Sequence, residues 1–383
     1  MLVAPDSYKG TLTAEEAAQA IARGLMAELR GSSIDLLPLG DGGDGTVDAL
    51  GTALDGEFRE VTVTDPLGKP VCARFAVLPS GTALLEMATA SGLTLVPPSQ
   101  LDPFEATTFG TGEMLLEAGR SSGDIVMGIG GSATVDGGVG MARAMGARFL
   151  AADGREITGG PRDYPGISLV DFGEVTRWKR GKRLRVMSDV DNPLCGPRGA
   201  ARVFGPQKGA REEDIPLLDS SLRHLGRVLS TASGRRVQDI PGAGAAGGMG
   251  AMLVGMLDAE LLPGSSLALD LVDFRGRLDE VDLVVTGEGR LDSQTSGGKL
   301  PLEVARRSRA AGVLVAVLPG YLDFRSGEAM PREFDYVLPC FGGPAPGGAP
   351  PVEEAREALI FAARELARTV LCDERHFDGG NKP

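Results

Sequence analysis

The sequence predicts an α/β protein of two domains: a parallel-sheet domain built from both chain ends, with a second, mixed α/β domain inserted between them. Three observations predict it. Short apolar runs at both ends alternate with amphipathic helical stretches, as strands and crossover helices do in a parallel sheet. The middle carries segments that alternate polar and apolar residues, the mark of half-exposed antiparallel or mixed strands. The length, 383 residues, accommodates two domains of ~100–200 residues each. The expected boundaries are residues 1–66 with 265–383 for the split domain and 67–264 for the insert, with joints near Pro66-Leu67-Gly68 and Pro263-Gly264.

Leu2-Val3-Ala4 is a short strand that runs into Pro5-Asp6-Ser7-Tyr8-Lys9-Gly10. Thr13 with Glu16 three residues on forms a capping box, and the helix it opens would bury Ala17, Ala20, Ile21, Gly24 and Leu25. A strand around Ile34–Leu37 leads to the glycine-rich loop Gly40–Thr46. Glu57–Val63 and Ala73–Val77 alternate and are expected to pair as mixed strands. In the last third, Val281–Thr286 and Val313–Leu318 are uninterrupted apolar strands, and Tyr336–Pro339 is a third. Between the first two lies the polar loop Gly287–Gly298 and a helix containing Leu302, Val304 and Ala305; Pro344–Pro351 is a Pro/Gly loop. A final helix from Val352 to about Val370 places Ala355, Leu359, Ala362 and Leu366 on one face.

Composition narrows the chemistry. Acidic residues outnumber basic ones 52 to 39, for a net charge of −13. Such a field repels a phosphate backbone, so nucleic acid is not an expected partner, and an anionic substrate needs a local cationic site. The four cysteines are scattered without metal-ligand spacing, which fits a reducing compartment. No basic n-region opens the chain and no apolar run approaches the ~18 residues that span a bilayer, so no membrane partner and a cytoplasmic location are expected. A homodimer is compatible with the sequence, which does not specify it. Of the two histidines, His224 flanks a helical apolar stripe and His376 lies in the polar tail. Acid–base work therefore falls to carboxylates or lysine.

The run Gly128–Gly138 follows the strand Ile125-Val126-Met127. Its glycines Gly130 and Gly131 let main-chain amides approach a phosphate, and Ser132 and Thr134 add hydroxyls. A second run, Gly242–Gly250, could also lie against a ligand, although tight turns explain either run equally well. Neither contains the GxxxxGK[ST] pattern of a P-loop. Ser188-Asp189-Val190-Asp191-Asn192-Pro193 places two carboxylates at a strand exit. One of them could accept a hydroxyl proton while the other holds Mg2+ through water; an Asx turn is the plain alternative. Lys208 stands alone in the turn-rich segment Phe204–Gly209. Thr286–Thr295 packs Glu288, Arg290 and Asp292 among small residues, with Lys299 just beyond; Arg290 suits a two-point grip on a carboxylate. Asp6, Ser7 and Lys9 offer similar chemistry at the same edge of the same sheet.

Taken together and in order, these loops resemble the bacterial glycerate kinase family, the type without a Walker motif. The matching segments are Ala4–Gly10, Gly40–Thr46, Gly128–Gly138, Ser188–Gly196 with Val203–Ala210, Gly242–Gly250, and Thr286–Thr295 with Gly298-Lys299. The resemblance implies ATP, Mg2+ and D-glycerate, phosphorylated commonly at the 2-hydroxyl to give 2-phosphoglycerate. It also implies a flavodoxin- or Rossmann-like domain carrying a distinct α/β insert. Asp44 stands where the family usually has Glu, and Val135 where it usually has Asn. On this reading Gly130, Gly131, Ser132, Thr134 and Lys208 bind nucleotide, and Asp6, Ser7, Arg290, Glu288 and Asp292 bind substrate. Asp189, Asp191 and Lys9 are the catalytic candidates, with Asp189 first choice as general base and Asp191 also the metal contact. A kinase for another small hydroxy acid is the alternative, and a non-catalytic ligand-binding regulator a weaker one. Regiochemistry is not legible in the residues.

Overall fold

The structure, a computed structural model, describes residues 1–292, 299–324, 330–343 and 348–372. The chain divides into two compact units, Met1–Asp41 with Ser265–Pro383 (unit one) and Gly42–Gly264 (unit two). Of the segments singled out in the sequence, Ser293–Gly298, Pro344–Gly347 and His376 lie outside the described residues.

Unit one begins with β1 (Leu2–Val3), α1 (Ala14–Glu28) and the exposed strand β2 (Asp35–Leu36). The capping box at the start of α1 is complete: Glu16 N–H donates to Thr13 Oγ1 at 3.1 Å and Thr13 N–H donates to Glu16 Oε2 at 3.0 Å. The helix buries Ala17, Ala20, Ile21, Gly24 and Leu25.

Unit two follows with α2 (Thr46–Ala53), β3 (Glu57–Thr64), β4 (Pro70–Val77), β5 (Ala83–Glu86), α3 (Ala88–Ser91) and α4 (Phe109–Ser121). Next come β6 (Asp124–Gly128), α5 (Val139–Ala144), the strands β7 (Arg148–Leu150) and β8 (Leu169–Asp171), α6 (Gly173–Trp178) and β9 (Arg183–Met187). α7 (Ala200–Phe204), α8 (Ile215–Ser233), α9 (Ala245–Leu257) and β10 (Glu260–Leu262) complete it. Its six-stranded sheet has the order β10-β9-β6-β5-β4-β3; the pairings among the first four strands are parallel, and β5–β4 and β4–β3 are antiparallel. The buried core includes Phe75, Leu85, Met127, Phe149, Leu222 and Met252.

The first seam differs from expectation. It falls between Asp41 and Gly42, not near Pro66, because β3 pairs along its whole length with β4, from Glu57↔Val77 to Thr64↔Pro70. Pro66-Leu67-Gly68 is the hairpin turn between them. Asp65 Oδ1 accepts from Leu67 N–H and Lys69 N–H, each at 2.8 Å. The second seam lies between Gly264 and Ser265, where α10 (Gly264–Leu271) begins.

Unit one resumes with β11 (Leu283–Thr286), β12 (Arg290–Asp292), α11 (Leu300–Ala310), β13 (Leu314–Val317), β14 (Tyr321–Asp323), β15 (Tyr336–Val337) and α12 (Val352–Leu371). Its five-stranded sheet, β15-β13-β11-β1-β2, is parallel throughout. Part of the segment read as a polar loop is a strand: Arg290–Asp292 pairs in parallel with Tyr321–Asp323. α12 lies against α1, where a Cβ on Gly24 would stand 2.6 Å from Ala363 Cβ. Arg356–Glu16 at 3.1 Å and Arg364–Glu28 at 2.5 Å flank that approach. Among the described residues no helix is long and apolar enough to cross a membrane.

Candidate active site

Parallel α/β sheets place ligands beyond the carboxyl ends of their strands, so the strand exits of each unit are its candidate ligand edges. In unit two three neighbouring exits meet the loop Gly42–Thr46. Gly130 N–H, beyond β6, donates to Gly42 O at 2.9 Å. Gly42, at φ +102°, has no room for a side chain: a Cβ would lie 2.6 Å from that of Met187, the last residue of β9. At the end of β5, Glu86 is buried; its Oε2 accepts from Val47 N–H at 2.9 Å and its Oε1 from Gly45 N–H at 3.2 Å. Burial, reinforced by Asp44 and Asp48 against these two bonds, pushes the Glu86 carboxyl up to about 7.

The turn after β6 is held from beneath. Lys208 is 2% exposed, and its Nζ donates to Ser132 Oγ at 2.5 Å and to Thr134 O at 2.8 Å. Burial pushes its ammonium down to about 7, opposed by the charge of Asp136. Thr134 Oγ1 is buried with no hydrogen-bond partner among the described residues. Asp136 organises the rest of the run. It accepts from Thr108 N–H (2.9 Å), Thr108 Oγ1 (2.7 Å), Gly138 N–H (3.0 Å) and Gly140 N–H (3.0 Å), and its carbonyl accepts from Tyr164 OH at 2.8 Å. The second glycine run packs against the first: Gly137 N–H donates to Gly247 O at 3.0 Å, and Gly247 has φ +67°.

The two carboxylates after β9 part company. Asp189 Oδ1 accepts from Gly264 N–H at 2.7 Å, which fixes that carboxylate at the strand exit. Asp191 is exposed and paired with Arg198 at 2.7 Å, and this partner holds its carboxyl below the usual range. His224 serves the fold: its Nε2 lies 2.7 Å from Ile167 O.

In unit one the exits of β1 and β11 bring carboxylates together. Asp6 N–H donates to Gly287 O at 2.9 Å, and Asp6 Oδ1 accepts from Ser7 N–H at 2.6 Å. Burial, then the charges of Asp41 and Glu288, push the Asp6 carboxyl well above its ordinary value. Lys299 Nζ stands 3.3 Å from Asp292 Oδ1 and 3.9 Å from Glu288 Oε2. Arg290 Nη1 lies 3.4 Å from Asp323 Oδ2, and both side chains are about half exposed. Lys9 is exposed; its main chain passes close over Gly289, where a Cβ would stand 3.3 Å from Lys9 N. Ser132, Asp189, Asp6, Glu288 and Arg290 stand at or just beyond strand exits, whereas Lys208, expected in a turn-rich loop and by default at the surface, is buried in the turn Pro206–Lys208; Glu86 and Asp136 have no part in the sequence reading. Asp136 lay inside the quoted run; Glu86 ends an apolar strand and carries no motif.

The chain matches the model of the glycerate kinase family over residues 1–371. It is 41% identical over 377 residues to the glycerate kinase of Bacillus subtilis (strain 168), covering 97% of each chain. It is 45% identical over 340 residues to the glycerate 2-kinase of Escherichia coli (strain K12), covering 88% of this chain and 89% of the relative. A solved structure, a provisionally named glycerate kinase 2 from Salmonella typhimurium LT2, superposes with a TM-score of 0.84 at 37% identity, covering 98% of both chains. With the family model matched from the first residue to the end of α12, the chain belongs to the glycerate kinase family.

Proposed function

We propose that the protein transfers the γ-phosphoryl group of ATP to D-glycerate, at the 2-hydroxyl, giving 2-phosphoglycerate and ADP. The observation that carries this reading is the glycine turn after β6, whose Ser132 hydroxyl and Thr134 carbonyl are held by a buried lysine. Phosphoryl transfer depends on positioning and on neutralising charge more than on covalent chemistry with the protein. With the Gly130 amide committed to Gly42 O, the exposed turn at Gly131 and the Ser132 hydroxyl suit phosphate oxygens, and Lys208 holds the turn through Ser132 Oγ and Thr134 O.

Asp189 is the general base of this proposal. With one oxygen fixed by the Gly264 amide, its carboxylate keeps one orientation for receiving the proton of the attacking hydroxyl. Asp191, tied to Arg198 in solvent, is not assigned a step. In unit one, Arg290 is assigned to the glycerate carboxylate, helped by Lys9 or Ser7. Asp6, Glu288 and Asp292 are assigned to substrate hydroxyls or to a bound cation.

Mg2+ is commonly held by one or two carboxylates together with the phosphates it bridges. Among the described residues no three His, Cys, Asp or Glu side chains gather into a cage. The carboxyls of Asp6 and Glu288, which repel each other, fit the sparser pattern. When bound, the ion would neutralise phosphate charge; Asp191 fits it poorly because Arg198 already occupies its charge.

The test is an ADP-release assay with ATP, Mg2+ and D-glycerate, with the product placed by phosphorus NMR. A glycerate-dependent rate yielding 2-phosphoglycerate is expected. The 3-phospho isomer would overturn the position, and no turnover with glycerate would overturn the substrate.

A further inference from the structure

Glu86 belongs to no motif, yet its buried carboxylate reaches from the end of β5 to the loop Gly42–Thr46 and the start of α2. It is 3% exposed and accepts two main-chain N–H groups, from Gly45 at 3.2 Å and Val47 at 2.9 Å. Its own backbone is fixed on both sides. Thr89 Oγ1 donates to Glu86 O at 3.1 Å, and the next residue, Met87, donates its N–H to Gly128 O at 2.9 Å. The loop it grips is closed internally by Gly42 N–H on Thr46 Oγ1 at 3.0 Å, and Gly42 O accepts from Gly130 N–H at 2.9 Å. Hydrogen bonds joined by the loop's own backbone therefore link the Glu86 carboxylate to the glycine turn.

We infer that Glu86 is a positioning residue that presets the Gly130–Ser132 turn for phosphate by holding the Gly42–Thr46 loop against it, and that protonating Glu86 loosens this hold. The inference rests on the nucleotide reading of that turn given above. An ionised carboxylate accepts strongly on both oxygens, whereas a protonated one keeps a single good acceptor and gains a donor that faces amide donors. The charged groups that face Glu86 are Asp44 in the loop and Asp48 on α2, both of which favour the protonated form. Arg74 of β4 is engaged with Asp48 at 3.2 Å. With the carboxyl raised to about 7, the switch between the two forms falls in the neutral range. Below that value the loop is held by fewer bonds; above it, by both.

The test combines amide exchange with nucleotide binding in the full chain. In the wild type, exchange protection at Gly45 and Val47 should rise with pH, after correction for intrinsic exchange, with a midpoint near 7. ATP affinity, measured calorimetrically without glycerate, should strengthen over the same range. Glu86→Gln should lose the pH dependence of both and bind ATP about tenfold more weakly, the loss expected for a hydrogen bond to a charged group. Glu86→Asp should restore the pH dependence in part. Protection that does not change with pH in the wild type would overturn the inference even if Glu86→Gln failed to fold. Unchanged ATP affinity and pH profile in Glu86→Gln would overturn it as well. Failure of wild-type protein to phosphorylate glycerate would instead count against the proposed substrate, since the exchange measurement needs no turnover.

Discussion

In unit one, the exits of β1 and β11 deliver carboxylates to a shared edge, and the Asp6 carboxyl is pushed up by burial and by Asp41 and Glu288. In unit two, the exits of β5, β6 and β9 meet the loop Gly42–Thr46, and the turn after β6 is held by the buried ammonium of Lys208, which is pushed down to about 7. Both edges follow the same strand-to-loop grammar, and burial disfavours a negative charge at Asp6 in the first and a positive charge at Lys208 in the second. The first gains from a cation or a proton, the second from an anion. Parallel-sheet architecture thus decides where a site is, while a few charged side chains decide what it takes.

The sharpest way to break this contrast is Asp189→Asn. If Asp189 is the base, kcat should fall by roughly 10²–10⁴-fold with glycerate binding nearly unchanged. A near-normal kcat would move the base to the carboxylate-rich edge. Next is Lys208→Met, which keeps the volume and removes two hydrogen bonds from a cation. ATP affinity should drop about 10–100-fold, as for the loss of charge-assisted bonds. Because the fold lowers the lysine pKa, the unfolded chain binds the extra proton above pH 7. The wild type should therefore gain stability as pH rises from about 7 towards the ordinary lysine value. Denaturant melts across that range should lose this slope in Lys208→Met; a retained slope would point to another group.

Arg290→Ala should raise the KM for glycerate about tenfold with little change in kcat, as expected for loss of one charged contact to bound substrate. An unchanged KM would remove Arg290 from the site. At the acidic edge the linkage runs the other way. Asp6 keeps its proton to higher pH in the fold than in the unfolded chain, so its contribution to stability declines as pH rises above the usual carboxylate range. Asp6→Asn should flatten that decline in metal-free melts, and an unaltered pH profile would assign the decline to another group. The smallest effect is expected from Asp191→Asn. Its exposed pair with Arg198 is of a kind that contributes little, so kcat should stay within about twofold and Tm should not move measurably.

Much of unit one was legible because strong local signals coincide there. Thr13 with Glu16 marked the start of α1, and the uninterrupted apolar runs marked β11 and β13. The seam at Asp41 was missed because Pro66-Leu67-Gly68 signals a break whether it joins domains or turns a hairpin; only the β3–β4 pairing tells them apart. β12 was missed because three residues, Arg290–Asp292, carry no alternation and are strand only through Tyr321–Asp323. In the site, Lys208 and Asp189 stood out as charged residues in loops. The part played by Asp136 depends on Thr108 and Tyr164, each 28 residues away in sequence, and that of Glu86 on amides about 40 residues upstream. Such partnerships exist only once the chain has folded.

The packing of α1 on α12 carries a consequence for synthesis. The two helices stand at opposite ends of the chain, and everything from residue 42 to 264 is made between them. At translation rates of about 5–20 residues per second, α1 emerges from the ribosome roughly 15–60 s before its partner. During that interval its apolar face, with Ile21 and Leu25, lacks the α12 part of its native cover, whereas the inserted unit already holds every strand of its own sheet. The inserted unit should therefore fold first on the ribosome, and the nascent N-terminal helix is the segment on which a chaperone would act.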